Sequence, residues 1–138
     1  MTQPDSTPAE PPATACEPHE HQPRPHKPLP VGEQAFERAA AFFRAAGDVA
    51  RLKILARLTD GEWCVTELAE AAEAGISTVS QQLRLLRLER LVKRRRSGKH
   101  LYYSLIDSHI IALVREALEH AAEEQRASDS EHPDADIP

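Results

Sequence analysis

The chain of 138 residues has little from which to build an aromatic core, a disulfide framework or a membrane span. Only 4% of its residues are aromatic, so a core must come from Leu, Ile, Val and Ala, within a hydrophobic content of 41%. Two cysteines, Cys16 and Cys64, do not suggest a disulfide framework. The apolar runs are too short to cross a bilayer, and no basic-then-apolar leader opens the chain. We therefore expect one small cytoplasmic domain with reduced thiols and no membrane partner.

The sequence also lacks the local motifs of common enzymes. It has no Gly-rich phosphate loop, no nucleophile elbow and no His-Glu-x-x-His pair. We therefore expect no catalytic residues and no small-molecule substrate.

Proline and charge divide the chain into segments. Nine of the eleven prolines lie in residues 1–30, so we predict a disordered Pro- and His-rich arm over residues 1–32. Residues 33–126 form the predicted domain, and residues 127–138 a predicted disordered acidic tail. Eight Lys or Arg lie between Arg84 and Lys99, whereas eight acids follow Ser108. This distribution indicates an anionic partner for the basic part, although a charge run is also typical of a solvated face.

The domain has helical periodicity, which is interrupted once by a β-like stretch. Four helices are predicted over 34–46, from the cap Asp48, over 65–72, and from the cap Ser77 to Glu89. "LVKRRRSGKHLYYSL" (91–105) predicts a hairpin turning at Gly98, and Asp107 caps a last long helix. The fold class is therefore mainly α with a small β-hairpin.

Helices three and four predict a helix-turn-helix, and the basic hairpin predicts a wing. Small hydroxyl and amide side chains at the start of the fourth helix suit base edges and phosphates in a major groove. Basic residues in the hairpin would neutralise phosphates of double-stranded DNA. The predicted DNA-binding residues are Ser77, Thr78, Ser80, Gln81, Gln82, Arg84, Arg94, Arg95, Arg96 and Lys99. A plain helical bundle with a charged hairpin is the alternative.

Several segments resemble the ArsR/SmtB metal-sensing winged-helix repressors, in particular their zinc-sensing branch. They are "ARLKILARL" (50–58), "EWCVTELAEA" (62–71), "STVSQQLRLLRLERLV" (77–92), "SGKHLYYSL" (97–105) and "DSHIIALVREALEH" (107–120). The resemblance implies a homodimer that binds operator DNA when metal-free and releases it when metal binds, derepressing efflux or sequestration genes. Gln81 stands where many members have His. This difference bears on which bases the protein prefers and not on whether it binds DNA.

The last helix carries two half-sites for a metal, Asp107 with His109 and His120 with Glu123. An offset of eleven residues places the two histidines on nearly one face, but about 16 Å apart along the axis. Ligands of one Zn²⁺ lie about 2 Å from the metal, so one helix cannot bring all four together. Two antiparallel copies can, because the pairs 109/120 and 107/123 both place a two-fold axis near Val114 and Arg115. The predicted packing stripe is Ile110, Ile111, Val114, Ala117, Leu118 and Ala121.

Each such inter-subunit site would contain two imidazoles and two carboxylates. This donor set suits tetrahedral Zn²⁺ as the effector, with Co²⁺ as a substitute. The alternative is that these residues are ordinary polar groups on an exposed helix.

A second candidate site involves Cys64 and Glu67, and the resemblance implies that the partner's N-terminal arm completes it. Cys16, His19 and His21 are the candidates there, and this softer site would accept Zn²⁺, Cd²⁺ or Pb²⁺. Alternatively Cys64 is a small buried hydrophobe beside a solvated arm, or Cys16 and Cys64 form a redox-sensitive disulfide. The competing functions are a winged-helix repressor of a non-metal or redox signal, and a metal-buffering protein without a DNA role.

Overall fold

A computed structural model describes Ala9, Pro25 and residues 27–131, and separates residues 1–30 from the domain that follows. Most of the arm lies outside the described residues, including Cys16, His19 and His21. The prediction that the arm is disordered therefore stays a prediction. None of the helices in the described part is long and apolar enough to cross a membrane.

The domain contains five helices and a small antiparallel sheet. The elements are α1 (Glu33–Ala46), α2 (Val49–Arg57), a 3₁₀ turn (Leu58–Asp60), β1 (Trp63–Cys64), α3 (Val65–Ala72), α4 (Ile76–Leu88), β2 (Val92–Ser97), β3 (His100–Leu105) and α5 (Ser108–Glu131). The predicted order of four helices, hairpin and helix is confirmed. The strand β1 was not predicted, and it extends the hairpin to a sheet of order β1-β3-β2.

The helix caps show which backbone positions the sequence specifies locally. The Asp48 Oδ1 accepts the Arg51 N–H at 3.0 Å, and the Asp107 Oδ1 accepts the Ile110 N–H at 3.0 Å, as predicted. The predicted cap Ser77 is wrong. Gly75 takes the extended cap conformation and its carbonyl accepts the Val79 N–H at 3.1 Å, so Ser77 already lies in the first turn of α4.

The core is aliphatic, as the shortage of aromatic residues predicts. Helices α2, α3 and α4 and the base of the hairpin bury their leucines and valines against one another. The most deeply buried side chains are Leu55, Leu58, Leu68, Val79, Leu83, Leu86, Leu91, Val92 and Val114. Burying each of these side chains stabilises the fold by about 1.5–3 kcal/mol. This core fixes α4 and the hairpin relative to each other.

The hairpin turns where the sequence predicts it. Gly98 has φ +60°, and Ser97 pairs with His100 across the turn. Along β2, Arg94 and Arg96 point to one face of the sheet and Arg95 to the other, because side chains alternate in a strand. Arg95 lies opposite Tyr102 on β3.

Helix α5 is longer than predicted. It continues to Glu131, so residues 127–131 of the predicted disordered tail are helical. No glycine or proline occurs between Leu105 and Pro133, and the Ser128 hydroxyl donates to the Glu124 carbonyl at 3.0 Å. The rest of the predicted tail, residues 132–138, lies outside the described residues.

Candidate DNA interface and metal centre

Helices α3 and α4 are joined by a tight turn at residues 73–75. Glu73 adopts the left-handed conformation, with φ 52°, and ends α3. Its N–H donates to the Glu70 carbonyl, and the Ala74 N–H donates to the Ala69 carbonyl, both at 3.1 Å. The two helices thus form the predicted helix-turn-helix, with α4 in the position of a recognition helix.

The sequence-predicted DNA residues of α4 divide by exposure. Val79, Leu83 and Leu86 anchor the helix in the core. On the outer face, Ser77, Thr78, Gln81 and Arg84 are exposed, whereas Ser80 and Gln82 are half-buried. The exposed four can reach a base edge or phosphate without rearrangement of the core.

The wing carries exposed basic side chains in two different settings. Arg94, Arg96 and Lys99 are exposed. Arg95 instead donates from Nε to the Glu62 Oε1 at 3.3 Å and from Nη2 to the Glu62 Oε2 at 2.8 Å. These hydrogen bonds lower the pKa of the Glu62 carboxyl and raise the pKa of Arg95. Sequence reasoning missed Glu62, because it lies 33 residues from its partner.

The metal-ligand candidates of α5 are exposed and lie in two separate places. The His109 Nδ1 is 3.8 Å from the Asp107 Oδ1, so the first pair is brought together. The His120 Nε2 is 3.3 Å from the Glu124 Oε1, one residue beyond the predicted Glu123. Within the described part of a single chain, no three His, Cys, Asp or Glu side chains converge on a possible metal position.

Cys64 is buried at the start of α3, where it has a structural role. The Glu67 Oε2 accepts the Cys64 N–H at 3.2 Å, and the Cys64 side chain faces the Glu67 N–H, so the two form a capping box. Cys64 is 8% exposed and pairs with Tyr102 through β1. The two residues of the predicted pair, Cys64 and Glu67, are therefore adjacent.

An apolar groove lies between α1 and α5. Leu113 and Phe43 are 45% and 63% exposed at this groove. The groove is lined by Phe42, Phe43, Ala46, Leu52, Leu113, Val114, Glu116, Ala117 and His120. The predicted stripe on α5 needs correction, because Val114 is buried and Ile110 and Ile111 pack against the chain's own core. Of the predicted stripe, Ala117, Leu118 and Ala121 are exposed, and Leu113, which was not predicted, lines the groove beside Ala117 and His120.

Comparison with known proteins agrees with this architecture. Residues 48–94 match the family described as "Bacterial regulatory protein, arsR family". The chain is 42% identical over 105 residues to a transcriptional repressor SmtB homolog of Synechocystis, covering 76% of this chain and 80% of that protein. It is 39% identical over 106 residues to the regulator NmtR of Mycobacterium tuberculosis, covering 77% and 88%.

A solved structure has the same fold. It is a homodimeric winged helix-turn-helix DNA-binding domain from Mycobacterium bovis, a possible ArsR-family transcriptional regulator, with a TM-score of 0.63 and 26% identity. The match covers 71% of this chain and 91% of that one. The helix-turn-helix, the basic wing and these similarities together show that the chain belongs to the ArsR family of DNA-binding transcriptional regulators, which are not enzymes.

Proposed function

We propose that the protein is a metal-responsive repressor of the cytoplasm. Its metal-free dimer binds operator DNA, and Zn²⁺ bound between the subunits releases it, which derepresses genes for metal efflux or sequestration. The observation that carries this proposal is the placement of the His120 half-site beside an apolar face that the described part of the chain leaves exposed. His120 lines the groove with Leu113 and Ala117. His109 lies about 20° from His120 around the helix, at 100° per residue.

A second copy packed antiparallel on this face would complete both sites. The groove is lined mostly by apolar side chains, with Glu116 and His120 as its polar members, a composition that suits a subunit contact. His109 of one subunit would face His120 of the other, and two equivalent sites follow from the two-fold symmetry. Asp107 already uses Oδ1 as a helix cap, so its other oxygen would take the metal.

The proposed donor set favours Zn²⁺ on chemical grounds. Two imidazoles and two carboxylates fit tetrahedral Zn²⁺ and also Co²⁺. Glu123 is the carboxylate that the antiparallel arrangement selects, although His120 contacts Glu124 within one chain. Zn²⁺ bound at Nε2 of His120 would break the His120–Glu124 contact, whereas Zn²⁺ bound at Nδ1 would leave Glu124 to orient the imidazole.

Cys64 and Glu67 remain a proposed second site, completed by Cys16, His19 and His21 of the other subunit. The capping box holds the Cys64 and Glu67 side chains at the same helix start, each against the other residue's backbone N–H, which supports the pairing. Its burial means that a soft ion such as Cd²⁺ or Pb²⁺ must displace the cap interactions to reach the sulfur. A Cys16–Cys64 disulfide would use the same thiol as a redox switch.

Release of DNA requires that metal binds the DNA-free conformation more tightly than the DNA-bound one. Locking the two α5 helices across the two-fold axis changes the spacing of the two α4 helices. Half-sites in successive major grooves lie one helical turn, about 34–36 Å, or a multiple of it apart, so a small change in the spacing of the α4 helices weakens both contacts at once. The effect is a coupling between the metal and DNA sites.

The decisive experiment measures operator affinity with and without stoichiometric Zn²⁺. A duplex selected from a random pool by the metal-free protein serves as operator, and fluorescence anisotropy reports binding. We expect Zn²⁺ to weaken binding by about 5- to 150-fold, the usual range of allosteric coupling. Equal affinities would indicate a repressor of a non-metal signal. Zn²⁺ binding without selection of any duplex would indicate a metal-buffering protein.

A further inference from the structure

Besides the β1–β3 pairing and the shared core, an ion pair joins the wing to the segment before β1. The Arg95 guanidinium donates hydrogen bonds to both carboxylate oxygens of Glu62, at 3.3 and 2.8 Å, and lies 4.9 Å from the centre of the Tyr102 ring. A two-pronged contact together with a ring favours one orientation of a guanidinium, here in an ion pair whose side chains are 56% and 42% exposed. Arg94 and Arg96 point to the other face of β2 and are exposed.

The segment that contains Glu62 also makes hydrogen bonds to α5 and within itself. Arg115 of α5 donates from Nη2 to the Thr59 carbonyl at 2.8 Å. The Trp63 Nε1 donates to the Asp60 Oδ1 at 3.0 Å, which holds the intervening turn closed. Residues 59–63 therefore join α5, through Arg115, to the wing, through Arg95.

We infer that Glu62 is a positioning residue for DNA recognition. It withdraws Arg95 from phosphate contact and uses it to set the orientation of the wing relative to α4, while Arg115 ties the same segment to α5. The wing cations that contact phosphates are then Arg94, Arg96 and Lys99. The inference rests on the proposed DNA-binding role.

The salt dependence of DNA affinity separates an anchoring arginine from a phosphate-binding one. Arg94→Gln is the matched control and should reduce the slope of log affinity against log salt by about 0.9, because one phosphate contact is lost. Arg95→Gln and Glu62→Gln should each weaken binding about two- to fivefold with the slope unchanged, as expected for an exposed ion pair. The double variant should be no weaker than either single variant, because both remove the same contact.

Two outcomes would overturn the inference. A slope reduced in Arg95→Gln as in Arg94→Gln would make Arg95 a phosphate contact. Tighter binding by Glu62→Gln with a steeper slope would make Glu62 a competitor of DNA.

Amide hydrogen exchange without DNA gives an independent readout of the same link. Exchange of the β2 and β3 amides should be faster in Glu62→Gln and Arg95→Gln and unchanged in Arg94→Gln. Arg115→Met keeps the apolar stem, removes the donor, and should speed exchange in residues 59–64. Unchanged exchange in the first two variants would show that the pair anchors nothing. Wild type that binds no duplex would contradict the proposed function, whereas the exchange result would still decide the anchoring.

Discussion

Asp107 has two tasks that one substitution can separate. Its carboxylate caps α5 and is also a proposed metal ligand. Asn is as good a helix cap as Asp, whereas Ala at a cap position costs about 0.5–2 kcal/mol. We predict that Asp107→Asn and Asp107→Ala both weaken Zn²⁺ binding, but that only Asp107→Ala lowers the free energy of unfolding.

Isothermal titration with Zn²⁺ and urea denaturation measure the two effects. Full Zn²⁺ affinity in Asp107→Asn would remove Asp107 from the proposed ligand set. Ser108→Ala serves as control, because it changes a neighbouring exposed residue without touching the cap.

Cys64 offers a second test at the scale of one side chain. Ser is a strong helix cap, so Cys64→Ser should preserve the start of α3 while removing the thiolate. If the soft site forms, Cd²⁺ should give an ultraviolet thiolate charge-transfer band in reduced wild type. We predict that this band is weaker in Cys64→Ser and in Cys16→Ser. Reduced wild type without the band would leave Cys64 with its packing role alone.

At the scale of an element, we can predict how the stabilisation of the wing by the Glu62–Arg95 ion pair depends on pH. The folded-state pKa of Glu62 lies below its ordinary value of 4.5, chiefly through the hydrogen bonds from Arg95. The stabilisation is therefore fully present above the ordinary pKa and is lost as pH falls through the lowered one. We predict that wild type melts above Glu62→Gln at neutral pH and that this difference disappears in acid.

Differential scanning calorimetry of both proteins across the acidic range measures this difference. A gap between the two melting temperatures that stays constant down to the lowest pH would contradict the prediction.

The exposed apolar face of α5 allows a test of the dimer. Leu113 is 45% exposed in the groove, so Leu113→Glu would place a charge in the proposed subunit contact. We predict that this variant is monomeric in analytical ultracentrifugation at concentrations where wild type is dimeric. Ala122→Glu is the matched control, since residue 122 lies about 180° away from residue 113 around the helix. Dimers that persist in Leu113→Glu would place the contact elsewhere.

The elements that the sequence predicted are those whose signals are local. Asp48, Asp107 and Gly98 each act within three residues along the chain, and each was assigned correctly. The strand β1 was missed because two residues carry no periodicity, and its partner lies on β3. The Glu62–Arg95 pair was missed for the same reason, since long-range pairing is a property of the fold. The cap was wrongly assigned to Ser77 because Ser is a preferred cap residue and lies only two residues after Gly75, the actual cap.

At the scale of the whole molecule, the prediction concerns which subunit supplies each ligand. One subunit carries Asp107→Ala and His109→Ala, and the other carries His120→Ala and Glu123→Ala, both with Cys16→Ser and Cys64→Ser. If ligands come from opposite subunits, the mixed dimer has one site without ligands and one intact site. We predict one tightly bound Zn²⁺ per mixed dimer and weak binding by either parent homodimer, because two ligands and water hold Zn²⁺ poorly.

Differently tagged subunits, co-expressed and purified over both tags, provide the mixed dimer for titration. Tight stoichiometric binding by either parent, or no recovery in the mixture, would contradict sites shared between subunits.

The length of α5 makes the order of its C-terminal part depend on the concentration of the protein. The helix meets the chain's core through Ile110, Ile111 and Val114, and every residue from Glu116 to Glu131 is exposed. That stretch rises about 24 Å, and a helix of its length is marginal in water without packing. If a second copy covers it as proposed, that copy supplies much of its order, and dilution should melt the stretch together with the half-site at His120. The Zn²⁺ concentration at which the repressor releases DNA in a cell would then depend on the number of repressor molecules in that cell.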